Sequence, residues 1–258
     1  MGHDEEEDMD FVRLSITDGI AEARLKRGKV NALNEQAVEE IAGCVQRLAA
    51  DPDIRAVILT GDGSFFSFGF DIPEFLSYSE EAFARFLKRF TDLYRYLFTY
   101  PKPLVAALNG HAIAGGCMLA LACDYRIMVS GKAKISLNEI TFGSSVFAGS
   151  VEMLKFLVGG KNAQAILYEG TMYSAEAASR LGVVDQVSCY EKLVEDTREV
   201  ATRLGAKDTA AFRSIKGLLR ASVADDIAKK EQDSVQEFVR IWYSEKTWRN
   251  LHAIRIYS

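Results

Sequence analysis

The sequence predicts an α/β fold built from repeated strand–strand–helix units and completed by a C-terminal helical region. Three observations carry this. Short apolar runs rich in β-branched residues come before amphipathic segments. The strand signals stop near Tyr190, and helical periodicity takes over. No GxGxxG or GxxxxGK[ST] loop follows a strand, so neither a dinucleotide-binding sheet nor an ATP-binding loop is indicated.

In chain order, "FVRLSITDGIAEARL" alternates and turns at Asp18-Gly19, which predicts a hairpin of Phe11 to Ile16 and Ile20 to Leu25. Asn34 is placed to cap a helix whose Ala37, Ile41, Val45 and Leu48 share one face. "IRAVILTG" and "PLVAALNG" have the near-continuous apolar character of buried parallel strands. Between them, Phe83, Phe86, Phe90, Leu93 and Leu97 form one stripe of an amphipathic helix. "HAIAGGCMLALACD" is expected to open a buried helix directly after the second of these strands. "YRIMVS" and "AKISL" are expected strands, followed by a helix near Val151–Leu157. "NAQAILYEG" and "SAEAASRLG" are two expected short helices, each closed by glycine, and "VVDQVSC" is a last strand. The predicted organisation is an acidic, mobile tail over 1–10, a core over 11–195, and a helical oligomerisation or lid region over 196–258.

The 258 residues are 48% hydrophobic and 26% charged, the balance of an ordinary globular protein. A net charge of -5 argues against nucleic acid as the main partner. Cys44, Cys117, Cys123 and Cys189 form no CxxC pair and are expected to be reduced and buried. With His3, His111 and His252 as the only histidines, no metal site is expected. The longest apolar stretch, 112–123, is too short to span a bilayer. No membrane partner is expected, and the cytoplasm is the expected location.

Two glycine-bearing stretches each follow a strand: "TGDGSFFSFGFDIPEF" (Thr60 to Phe75) and "NGHAIAGGCMLALACD" (Asn109 to Asp124). Glycine lets backbone N–H groups approach a ligand, and the first turn of a helix offers free donors with partial positive charge. Two such turns brought together make an oxyanion hole from backbone alone. These stretches, with "VNALNEQAVEEI", "AKISLNEITFG" and "YSAEAASRLGVVDQV", occur in the order seen in the crotonase, or enoyl-CoA hydratase/isomerase, family, which the chain resembles from Phe11 onward. The resemblance implies the crotonase spiral of ββα units and an acyl-CoA substrate. It places Phe70 and Gly115 N–H on the thioester carbonyl. It also implies that the backbone around Ser67 to Ile72, including Phe68, Gly69 and Asp71, lines the adenine end of coenzyme A. No cofactor is implied beyond the coenzyme A of the substrate itself.

The acid–base residues distinguish reactions within that family. Hydratases resemble one another in holding a water between two glutamates, one of them three residues after the oxyanion glycine. That position is Met118 here, and a thioether cannot take a proton. The second family carboxylate matches Glu139. The chain therefore looks most like the single-glutamate Δ3,Δ2-enoyl-CoA isomerases, with Glu139 as proton shuttle. Asn138 beside it is expected near the carboxylate or thioester. Phe142, Val146 and Phe147 are expected to shape an apolar acyl pocket, with Phe66, Phe68 and Phe70 heavier than the small residues usual in the first block. Asp124 and His111 are expected to be structural. Hydration, hydrolysis, decarboxylation and acyl-CoA binding without catalysis remain alternatives. The terminal Phe238, Trp242, Tyr243, Trp248 and Leu251, among Lys246, Arg249 and Arg255, must be buried on a neighbouring subunit or over the chain's own site. The family resemblance implies a homotrimer or hexamer.

Overall fold

The computed structural model describes residues 5–254; the expectations for residues 1–4 and for Arg255 lie outside them. Strand β1 (Glu5–Asp8) pairs antiparallel with β2 (Val12–Thr17), and β2 with β3 (Ile20–Leu25) across the predicted turn. The segment expected to be a mobile tail is thus partly an edge strand. Its carboxylates find cations there: Glu7 pairs with Arg47 at 2.6 Å and Asp8 with Lys26 at 2.6 Å. Helix α1 (Glu35–Ala50) starts at Asn34, whose side chain accepts from Ala37 N–H at 2.9 Å.

Two strand–strand–helix turns follow: β4 (Ala56–Gly61), β5 (Phe65–Ser67), α2 (Ile72–Phe75) and α3 (Glu80–Phe98); then β6 (Leu104–Leu108), β7 (His111–Ile113) and α4 (Gly115–Ala122). A third comprises β8 (Tyr125–Val129), β9 (Ile135–Ser136), a 3-10 turn (Glu139–Phe142) and α5 (Ala148–Glu169). The expected helix at "NAQAILYEG" is the second half of α5, set off by a break at Gly159 (φ 75°, ψ 161°), a conformation open to glycine. Helix α6 (Ala175–Leu181), β10 (Gln186–Ser188), α7 (Leu193–Gly205), α8 (Thr209–Trp242) and α9 (Glu245–Ala253) complete the chain.

The strands sort into two sheets. The larger runs β1-β2-β3-β4-β6-β8-β10 and is parallel from β3 onward; the smaller is β5-β7-β9, all parallel. The first strand of each turn joins the large sheet and the second joins the small one. This makes a spiral whose successive turns stack. Both faces of β4 and β6 are buried, in keeping with their unbroken apolar runs. Strands β5 and β7 were not legible as strands, because three residues cannot display a period of two.

The helical region packs on this core. Lys216 and Arg220 of α8 reach Asp124 at 2.8 and 3.1 Å, just past the end of α4, where Arg220 also donates to the carbonyls of Ala122 and Cys123. Asp124 additionally accepts from Leu104 N–H, so it is structural, as expected. The C-terminal aromatics fold over their own chain. Trp242 meets Phe83 with ring centroids at 4.7 Å, and Phe238 stacks on Phe147 at 4.5 Å. Of the cysteines, Cys44, Cys117 and Cys123 are buried; Cys189, expected inside, is exposed because it lies at the loop after β10. Among the described residues no helix is long and apolar enough to cross a membrane.

Candidate active site

The two glycine-bearing turns meet at one cavity of about 280 Å³. Its wall includes Phe68, Phe70, Ile72, Ala114, Gly115, Met118, Asn138, Glu139 and Phe142, with Phe238, Trp242 and Ile254 closing it from the C-terminal side. A larger open groove between α1 and α3, about 690 Å³, carries only charges that already pair with one another, such as Arg89 with Glu39 and Arg95 with Asp92.

The backbone from Ser67 to Ile72 explains why Phe70 supplies a free donor. Residue 70 forms a parallel bridge with Leu33, made by Gly69 C=O accepting from Leu33 N–H (2.7 Å) and Asp71 N–H donating to Leu33 C=O (3.0 Å). The ladder therefore uses the neighbours, and Phe70 N–H points away from Leu33. Phe68 N–H is bonded to Val30 C=O, Gly69 N–H to the Ser67 hydroxyl, and Ile72 N–H to Phe70 C=O. Gly115 is the first residue of α4, one of the positions whose N–H has no acceptor inside a helix.

The turn into α4 is strained to make this possible. Ala114 has φ 50° and ψ -118°, a region rare for a residue with a side chain and costing on the order of 1–3 kcal/mol. It is held by its N–H to Ser136 C=O (2.8 Å) and its C=O to Met118 N–H (2.9 Å). Nothing in the sequence marks an alanine for such a conformation. Glycine is obligatory next door for packing. A Cβ at Gly116 would lie 2.3 Å from Ser67 C=O, and one at Gly69 (φ 91°) would lie 2.9 Å from Gly115 N.

Glu139 opens the 3-10 turn after β9 and is 3% exposed. Neither of its carboxyl oxygens has a hydrogen-bond partner among the described residues. Burial pushes its carboxyl up to about 8, against the small opposing effect of its own backbone N–H. A buried carboxyl left unsatisfied at a cavity marks a candidate functional group. Asn138 Oδ1 is likewise buried and unpartnered. The Cys117 thiol on α4 feels the Glu139 charge, but its own burial drives it far above the range where it could ionise. Among the described residues of the cavity's wall, Glu139 is the only ionisable one.

Of the expected site residues, Glu139, Phe70, Gly115, Phe68, Ile72, Met118, Asn138 and Phe142 come together here. Ser67, Gly69 and Asp71 do not reach the cavity. The Ser67 hydroxyl donates to Asn31 C=O (2.7 Å), and Asp71 caps α2 and pairs with Arg27 at 2.7 Å. Phe66 is buried in the core, and Phe147 stands behind the wall, where Phe238 covers it. His111 packs its ring on Phe65 at 4.9 Å outside the cavity. Sequence reading did not assign Ile254 to the site, since a single isoleucine near a terminus carries no periodic signal. Among the described residues no three His, Cys, Asp or Glu side chains gather in a metal-holding cluster.

The family model described as enoyl-CoA hydratase/isomerase matches residues 15–253. The chain belongs to this family. A member from Mus musculus, enoyl-CoA delta isomerase 1, mitochondrial, is 31% identical over 236 residues, covering 91% of this chain and 82% of the relative. Crotonyl-CoA hydratase from Syntrophomonas wolfei subsp. wolfei is 33% identical over 199 residues, 77% of this chain and 76% of the relative. Among solved structures, human mitochondrial delta3-delta2-enoyl-CoA isomerase superposes with a TM-score of 0.91 at 28% identity, covering 95% of this chain and 96% of that one. The two-sheet spiral described above is the crotonase fold, and Phe70 and Gly115, the two residues expected to form the oxyanion hole, both line this cavity.

Proposed function

We propose that this enoyl-CoA hydratase/isomerase family member is an isomerase that converts 3-enoyl-CoA to 2-enoyl-CoA. One observation supports the reading: among the described residues Glu139 is the sole carboxyl in the wall of a cavity otherwise dominated by apolar side chains, with Met118 where a hydratase would place its other glutamate. In this mechanism the Glu139 carboxylate takes a proton from C2 of the bound thioester. The electron pair moves through the C3–C4 double bond and the carbonyl to give a dienolate. Phe70 and Gly115 N–H hold its oxygen, and the positive end of α4 adds to that stabilisation. The carboxylic acid then returns the same proton to C4. Atoms and charges balance with no redox change, so the reaction calls on no cofactor beyond the coenzyme A of the substrate. Met118, Phe142, Phe238 and Trp242 keep water from the dienolate.

Hydration would need a second group to hold and activate water, and the other polar wall residues, Asn138 and Thr141, are not bases. Rates with 3-enoyl-CoA and 2-enoyl-CoA, measured side by side, test the reading. Migration faster than hydration is expected. Faster hydration would transfer the chain to the hydratases, and neither reaction despite tight acyl-CoA binding would make it a non-catalytic binder.

A homotrimer or hexamer belongs to the same reading. Ile215, Leu218 and Leu219 on the outer side of α8 are 58%, 81% and 63% exposed, an apolar stripe that suits a further copy. Light scattering at micromolar concentration is expected to give a multiple of the 28.6 kDa chain mass, and a single-chain mass would remove this part. A cytoplasmic location completes the proposal; the free thiols Cys44, Cys117 and Cys123 fit a reducing compartment, and cell fractionation decides which one.

A further inference from the structure

The residue that acts on substrate in this reading, Glu139, stands on a single 3-10 turn of four residues. Such a turn has poor internal hydrogen-bond geometry, and its last carbonyls have no partners within it. Its start is fixed by Ser144 N–H donating to Glu139 C=O at 3.0 Å. Its end is fixed from elsewhere. Thr247 Oγ1 donates to Gly143 C=O at 2.6 Å, and Asn250 Nδ2 donates to Phe142 C=O at 3.0 Å, both from α9. Gly143 ends the turn at φ 86°, and the Thr247 and Asn250 side chains occupy the space beside it, 3.3 and 3.5 Å from where a Cβ would be.

Helix α9 is well placed to act as the fixed member. Thr247 is 2% and Leu251 0% exposed, Ile254 enters the cavity wall, and Tyr243 at the α8–α9 corner donates to Tyr78 C=O at 2.8 Å. Its charged side chains, Glu245, Lys246, Arg249 and His252, are all exposed. It therefore acts on the turn through two neutral hydrogen bonds and packing, not through a field.

We infer that α9 clamps the catalytic turn, with Thr247 and Asn250 as positioning residues that hold Glu139 in the dry cavity by bonding the carbonyls of Gly143 and Phe142. This rests on the reading of Glu139 as the base. Releasing the clamp would let the turn swing and water reach the carboxyl, so the two consequences are lost rate and an easier ionisation. A residue that merely stabilised the fold would produce neither once the protein is folded.

The test uses the full chain with Thr247→Val, which keeps the shape and removes the donor, and Thr247→Ser, which keeps the donor. In the wild type, kcat/KM for 3-enoyl-CoA is expected to rise with pH through about 8, as Glu139 ionises. In Thr247→Val, kcat on the alkaline plateau above about pH 9, where Glu139 is ionised in both proteins, is expected to fall by about tenfold with KM within about twofold, the scale of a misplaced catalytic group. The midpoint of the pH profile moves down toward the ordinary carboxylate value of 4.5. Thr247→Ser restores both. An unmoved midpoint and kcat in Thr247→Val, or losses that Thr247→Ser does not repair, would overturn the clamp. If Thr247→Val does not fold, Asn250→Leu removes the other bond and is read in the same way. If the wild type does not isomerise 3-enoyl-CoA, the reading of function fails. Infrared titration of the Glu139 carboxyl in wild type and variant then still decides the clamp, by the same downward shift or its absence.

Discussion

Glu139→Gln is expected to lower double-bond migration by roughly 10²–10⁴-fold or more, since both proton steps use the one carboxyl, while acyl-CoA affinity stays within about twofold. Glutamine fills the same space and cannot take the proton. Steady-state kinetics with 3-enoyl-CoA, together with binding of a saturated acyl-CoA, separates the two effects. The substitution also carries a stability signature. Burial raises the carboxyl from 4.5 to about 8, so between those values the folded chain keeps a proton that the unfolded chain has released. Stability conferred by the neutral form is complete below 4.5 and is lost as pH rises toward 8. Glutamine does not lose it. The variant is expected to melt with the wild type near pH 4 and above it at pH 9. Near-normal turnover in the variant would end the single-carboxyl mechanism.

The second large effect separates the two adjacent glycines. Gly116→Ala places a Cβ 2.3 Å from Ser67 C=O and 2.8 Å from Ser67 Cβ. Backbone on both sides prevents relief, so α4 must move off β5. A loss of about 3 kcal/mol is expected, the upper end of ordinary overpacking costs. Gly115→Ala meets only ring atoms, Phe70 Cε1 at 3.2 Å and Phe90 Cζ at 3.4 Å. Those rings can yield by a few tenths of an ångström, so this variant is expected to fold with stability within about 1 kcal/mol of wild type, since volume changes that neighbours absorb cost little. It is expected to lose about tenfold in rate, because the displaced Phe70 belongs to the same hole. Chemical denaturation and kinetics on both variants check this. Equal stabilities would contradict the packing of α4 on Ser67.

Most of the fold was legible, for reasons specific to its elements. Asn34, Ser79 and Ser174 each accept from an N–H three residues on, so helix starts were written in capping residues. The phenylalanine stripe of α3 gave its buried face directly. Of the small sheet only β9 was legible, inside "AKISL"; β5 and β7 hold three residues each and form strands through pairing across the spiral that no local pattern shows. The edge strand β1 was hidden by its acidic composition, which suggests a solvated tail until the cations of its neighbours are in place.

The site divides in the same way. Glu139, Phe70, Gly115 and Met118 came from the order of family-like blocks, and the structure brings all four to one cavity. Ser67 and Asp71 carry a further role that the sequence did not show: the Ser67 hydroxyl bonds Asn31 C=O and Gly69 N–H, and the Asp71 carboxylate caps α2 and pairs with Arg27. The strain at Ala114 and the far wall of Phe238, Trp242 and Ile254 depend on tertiary arrangement, which no local pattern announces. The same holds for Thr247, whose hydroxyl matters only because α9 folds back onto the 3-10 turn.

The claim that one buried carboxyl performs both proton steps is tested most directly by label transfer. 3-Enoyl-CoA carrying two deuteriums at C2 is converted by the wild-type protein in ordinary water, and the product is analysed by mass spectrometry and NMR. A single shielded Glu139 predicts product with one deuterium retained at C2 and a measurable share of the other at C4. Product whose C4 proton comes entirely from solvent, with the abstracted label wholly lost, would contradict it.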